Sequence, residues 1–94
     1  METAFTIPKE NLTGLQYPKT DVLSSLQLQV RRKYQLNRAM LLGNLYHTKV
    51  RIIFRDFHGI RRMVETTVWT VGEEYISLKG GRTIPVRAIE EIEF

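Results

Sequence analysis

Residues 49–72 read KVRIIFRDFHGIRRMVETTVWTVG, and the spacing of their apolar positions is two. Val50, Ile52 and Phe54 fall on one side of an extended chain, and Arg51, Ile53 and Arg55 on the other. Successive side chains of a strand alternate between faces, so the pattern predicts a strand with one buried face. Asp56-Phe57-His58-Gly59 reads as a turn, with Asp56 accepting the amide hydrogens that the turn leaves free. The run Arg61–Val71 continues the alternation for eleven residues. Val64, Thr66, Val68 and Thr70 share one face; Met63, Glu65, Thr67, Trp69 and Val71 share the other. A strand this long is expected to bend across two packed sheets, with a bulge that lets it switch faces.

Further along, Gly72-Glu73-Glu74 predicts a turn and Tyr75–Leu78 a strand. Lys79-Gly80-Gly81-Arg82 predicts a tight hairpin, since glycine adopts positive φ without steric cost. Thr83–Val86 is a short strand whose Pro85 lacks an amide hydrogen, which places it at a sheet edge or a bulge. Arg87-Ala88 fits one helical turn, and Ile89, Ile92 and Phe94 end the chain on apolar residues separated by glutamates.

Upstream the period changes to that of a helix. A start at Thr20 or Asp21 would cap the first turn, and Gly43-Asn44 would end it. Val22, Leu23, Leu26, Val30, Tyr34 and Leu41 form the apolar stripe expected to face the core, with Met40 at its edge. Residues 1–20 form a partly ordered arm punctuated by Pro8, Gly14 and Pro18. Phe5, Ile7, Leu12, Leu15 and Tyr17 make the arm too apolar for a plain linker, so docking on its own domain or a second copy is expected. Residues 21–94 form a single domain of mostly β class: one N-terminal helix, then five short strands. Five strands in so few residues are expected to close into a small, strongly bent barrel, with the helix over one end.

This order resembles the Sm-like or SH3-like small-barrel family. The resemblance covers about residues 20–94 and is carried by KVRIIFRD, RRMVETTVWTVG, EEYISLKGG and RTIPVRAIEEIEF as successive strands, with the short turn inside the last. It implies a bent five-stranded barrel, assembly into rings and binding of single-stranded RNA. The turn motifs with which that family reads RNA are absent: no Asp–aromatic pair follows the second strand, and no Lys-His or Arg-Gly-Asp precedes the last. The stretch GNLYHTKV…FRDFHG…VETTVW…LKGG…IP also resembles a group of small bacterial proteins of unassigned activity.

Length and composition bound the function. The chain has 94 residues, 43% hydrophobic and 26% charged, which suits one folded domain. Barrels of eight βα units need about 200 residues or more. There is no cysteine, which excludes disulfides, thiolate metal sites and thiol nucleophiles. Neither a secretory leader nor an apolar run of membrane-spanning length is read in it, so a soluble cytoplasmic protein without membrane attachment is expected.

The net charge of +4 is unevenly spread: residues 22–64 carry +8 and residues 65–94 carry −3. Arg51 and Arg55 lie four residues apart on one strand face, about 13 Å, which spans roughly two phosphates of an extended strand. Arg61 and Arg62 return beside them, Lys79 and Arg82 flank the glycine hairpin, and Tyr46, Phe57 and Trp69 offer stacking or interface surfaces. These residues form a candidate nucleic-acid-binding face. The same residues equally fit a solvated surface in which Arg31 and Lys33 pair with Glu90, Glu91 or Glu93, and the charge asymmetry also suits head-to-tail self-association. Trp69 fits packing against the helix or a neighbour better than it fits a base.

Chemistry of other kinds has less to build on. His47 and His58 stand at opposite ends of a strand and do not converge on a metal; His47 reads as a strand start, His58 as a turn residue. Ser24, Ser25 and Ser77 have no histidine–acid arrangement, and the pairs Glu73-Glu74 and Glu90-Glu91 point in divergent directions. The KGGR hairpin lacks the spacing of a phosphate loop. The expectation is a non-enzymatic module for self-assembly or protein–protein interaction, without cofactor or metal. The alternative is a single-stranded RNA- or DNA-binding regulator that uses the basic strand face.

Overall fold

Alternation produces the first hairpin as expected. In the computed structural model, which describes residues 2–94, β2 (Val50–Arg55) pairs antiparallel with β3 (Arg61–Thr66), placing Arg55 opposite Arg61 and Arg51 opposite Glu65. Val50, Ile52 and Phe54 are fully buried. Ile53, on the opposite face, is buried too. Asp56 closes the turn: its Oδ1 accepts the amides of His58 and Ile60 at 2.9 and 3.0 Å.

The long run 61–71 does not stay one strand. It breaks at Thr67 into β3 and β4 (Val68–Val71). Thr67 is buried at the corner; its carbonyl accepts the Lys79 amide at 2.9 Å and its hydroxyl donates to the His47 carbonyl. The bond to Lys79 continues the register of β4 with its partner strand, so the chain changes sheets at Thr67. Beyond the corner, β4, β5 (Tyr75–Leu78) and β6 (Thr83–Pro85) form a meander in the order β4-β5-β6. Pro85 ends the edge strand β6, as its missing amide requires. A 3-10 turn at Val86–Ala88 leads into β7 (Ile89–Glu93), which pairs with β2.

The other sheet gains an edge from the arm. β1 (Phe5–Thr6) runs parallel to β3, giving the order β1-β3-β2-β7. Leu12, in the 3-10 turn Lys9–Leu12, is buried in the core, and Ile7, Leu15 and Tyr17 pack against it. The fold is thus one long helix with seven strands in two sheets, strands dominating. The expected closed five-stranded barrel is corrected by two open sheets: the 3-10 turn separates β6 from β7, and Thr67 separates β3 from β4.

The helix α1 spans Leu26–Tyr46, starting later and ending later than its sequence signals. Ser25 caps it, its hydroxyl accepting the Leu28 amide. Asp21 instead reaches forward to Arg32, forming two parallel bonds of 2.8 and 2.7 Å, while Arg32 also donates to the Ile89 carbonyl at 2.9 Å. The helix passes Gly43 and stops at His47, which takes the left-handed conformation (φ 55°) and donates its amide back to Gly43. His47 is therefore a helix cap, not the strand start expected.

The buried face of α1 is also not the expected one. Arg32, Leu36, Ala39 and Gly43 face inward, whereas Leu26, Val30, Tyr34 and Leu41 are exposed. Small residues explain the choice. A β-carbon at Gly43 would overlap the Val68 carbonyl oxygen and press on the Thr67 methyl at 2.9 Å. At Gly43 the helix backbone lies so close to the Thr67–Val68 backbone that a side chain does not fit, which sets the face that turns inward.

Candidate functional site

The hairpin brings Arg51, Arg55 and Arg61 to one face, and the last strand brings carboxylates to them. Arg55 donates Nε to Glu90 at 2.8 Å and also pairs with Glu2. Arg61 donates Nε to the other Glu90 oxygen at 2.7 Å and reaches Glu91 at 3.0 Å. Arg51 lies within 3.5 Å of Glu65 and 4.0 Å of Glu93. Arg62 projects to the other face, where it holds Asp56 at 2.7 Å. Glu90 thus bridges Arg55 and Arg61 across the sheet.

The electrostatics follow. Glu2 and then Glu90 hydrogen-bond Arg55 and raise its pKa; Glu90 does the same for Arg61. Burial pushes the Asp56 carboxyl up, but the Arg62 ion pair and the two turn amides outweigh it and leave the pKa below the ordinary carboxylate value. Asp21 behaves alike: burial opposes ionisation, and the Arg32 fork with the Leu23 amide overrides it. A phosphate arriving at Arg51, Arg55 or Arg61 meets glutamates already in place, and each contact requires exchange of an existing ion pair. The glutamates pair with these arginines, while Arg31 and Lys33 stay exposed without an ion pair among the described residues.

The stacking candidates are exposed but scattered. Tyr46 sits at the end of α1, Phe57 in the β2–β3 turn edge-on to His58, and Trp69 on β4. Trp69 is 45% exposed, so it is not sealed against the helix. Lys79 and Arg82 lie apart from the other arginines, on the β5–β6 hairpin, and neither forms an ion pair among the described residues. Lys9 from the arm joins them, donating to the Lys79 carbonyl at 3.3 Å. No group of three or more His, Asp or Glu side chains is arranged to hold a metal among the described residues, and no described helix is long and apolar enough to cross a membrane.

The feature that sequence reasoning misplaced is on the helix. Leu26, Val30, Tyr34, Leu41 and Leu45 are between 57% and 76% exposed. On a helical wheel they occupy an arc of about 100°, centred opposite the buried residues. Arg31, Lys33 and Arg38 are exposed as well, and α1 contains no acid. Arg38 lies over the Phe94 ring at 4.7 Å. The periodicity found this stripe; only the close approach of Gly43 to β4 tells which way it points. Comparison with protein-family models, curated proteins and solved structures finds no match for this chain.

Proposed function

We propose that the chain is a non-enzymatic assembly module whose exposed helix face pairs with the same face of a second copy. The observation that carries this reading is the stripe Leu26, Val30, Tyr34, Leu41, Leu45, opposite the buried face of a helix that is already packed. Five large apolar side chains in one row over about 28 Å form a surface of the kind that marks interaction sites.

Its spacing supports a second copy as the occupant. With Asn37 included, the row runs 26, 30, 34, 37, 41, 45, and its steps read the same from either end. In an antiparallel pair centred between Gln35 and Leu36, Leu26 meets Leu45, Val30 meets Leu41 and Tyr34 meets Asn37, each twice. That is the self-complementarity a two-fold interface requires. The helix-then-bent-strands order of the Sm-like or SH3-like small barrel is part of the same reading, as a scaffold that presents one helix.

The arginines and lysine beside the stripe repel their counterparts across such an interface. Association is therefore expected to strengthen as salt rises from low ionic strength, where the screening length shortens to about 10 Å at 0.1 M. A nucleic acid bound to Arg31, Lys33 and Arg38 would show the opposite slope. Light scattering on the full chain tests this: a dimer is expected, and Leu41→Glu is expected to be monomeric with an unfolding free energy within about 0.5 kcal/mol of the parent. A parent that stays monomeric at millimolar concentration would falsify the reading.

A further inference from the structure

We propose that the groove between α1 and the free edge of β4 binds an extended peptide by strand addition, with an apolar residue held between an acidic and a basic neighbour. This goes beyond the assembly reading and does not depend on it: the exposed apolar stripe lies outside the groove, and of the proposed helix row only Asn37 lines it.

β4 is an edge strand, joined to β5 on one side only. In an antiparallel ladder, successive residues turn their amide and carbonyl alternately toward the partner strand and away from it. The Gly72 amide donates to the Tyr75 carbonyl at 2.8 Å, so Gly72 faces β5. Val71, one residue earlier and opposite Ile76, therefore turns both backbone groups outward. Neither has a backbone partner outside the ladder among the described residues. The other end of the strand obeys the same alternation. The Thr67 carbonyl accepts from Lys79, so Val68 faces outward, and its carbonyl oxygen is the atom that lies against Gly43 of α1.

The helix closes this edge at Val68 and leaves it open at Val71. Toward the N-terminal half of α1 the helix and the strand part, leaving a cavity of ≈ 560 Å³. Its lining includes Lys33, Leu36 and Asn37 from the helix, Val71 and Glu73 from the strand and its turn, and Val86. Ligand sites measure about 300–1,000 Å³, so the space suffices for a short peptide. Val71 and Val86 are half-buried against the core and give the cavity an apolar lining.

Three features of the groove select the occupant. An outward amide and carbonyl on one residue are matched by the carbonyl and amide of another extended chain; such main-chain bonds supply affinity, and the adjacent pockets choose side chains. The residue paired with Val71 places its side chain on the same face as that of Val71, which packs against the core, so an apolar side chain fits there. Its two neighbours point the other way, to the rim. The rim carries opposite charges: Lys33 on the helix and Glu73 on the turn are both exposed, and neither forms an ion pair among the described residues. One acidic and one basic residue around the apolar one complement both.

The test is a ¹⁵N NMR titration of the full chain with two blocked peptides, acetyl-Lys-Val-Glu-amide and acetyl-Glu-Val-Lys-amide, the two orders standing for the two strand directions. At least one is expected to shift the Val71 amide saturably and to slow its hydrogen exchange. Methylating the valine nitrogen of that peptide removes one of the two main-chain bonds and is expected to raise its Kd about tenfold. Lys33→Glu is expected to reverse the choice and bind acetyl-Lys-Val-Lys-amide more tightly than either mixed peptide. The same titration on Leu41→Glu is expected to give an unchanged Kd, whether or not the parent is a dimer; binding lost in that variant would put the peptide on the stripe and overturn the groove. A Val71 amide unmoved by both peptides overturns the proposal, as does an N-methylated peptide that binds as tightly as its parent.

Discussion

Gly43 has no side chain because none fits between α1 and β4. Adding a methyl group there has to displace backbone, since its first contact is the Val68 carbonyl oxygen rather than the end of a flexible side chain. Gly43→Ala is expected to destabilise the fold by about 1–3 kcal/mol, despite the higher helix propensity of alanine. Denaturant unfolding measures it; a stabilised variant would mean that the helix is free to move off the sheet. This glycine reads in the sequence as a helix stop. A stop signal and a close approach use the same residue type, and only the position of β4 separates them. Asp21 is a similar case: its sequence position suits a cap, while its partner Arg32 is eleven residues away.

At the scale of elements, the hairpins were legible because each carries its own instructions: alternation for the strands, Asp56 for one turn, the glycine pair for another. What was not legible depends on elements meeting. Thr67 looks like any other β-branched strand residue, yet it forms the corner because His47 and Lys79 come to it. The helix carries two faces that could both be buried, and the more hydrophobic of them lies outside. The orientation of the proposed helix pair can be read directly, because the chain has no cysteine to confuse it. Leu26→Cys and Leu45→Cys variants, oxidised separately, are expected to stay uncrosslinked; mixed, they are expected to form a disulfide-linked heterodimer. Cross-linking of either variant with itself would instead indicate parallel helices and sink the antiparallel register.

For the whole molecule, charge is organised by pairing rather than by surface area. The sequence totals show a basic half and an acidic end, and the fold lays β7 of the acidic end directly against β2 of the basic half. This pairing was not foreseeable from totals, because it depends on β7 returning to the first sheet. It also sets the pH response. Asp21 and Asp56 both have folded pKa values depressed below the ordinary value of 3.8. Their contribution to stability is complete above that value and is lost as pH falls through the lower, folded values. The thermal unfolding midpoint is therefore expected to be level between pH 6 and 8 and to fall below about pH 4. Asp56→Asn should flatten part of that fall; an identical acid limb in the variant would show that Asp56 contributes nothing to it.

The parallel pairing of β1 with β3 has a consequence in time. A chain is made from its N-terminus, so Phe5 and Thr6 leave the ribosome ahead of their partners Arg62 and Met63, which follow more than fifty residues later. Leu12 likewise enters a core whose other members are nearly all synthesised after it. The arm is thus made well before the strand it pairs with. Its apolar side chains must wait, unshielded, until the hairpin that receives them exists.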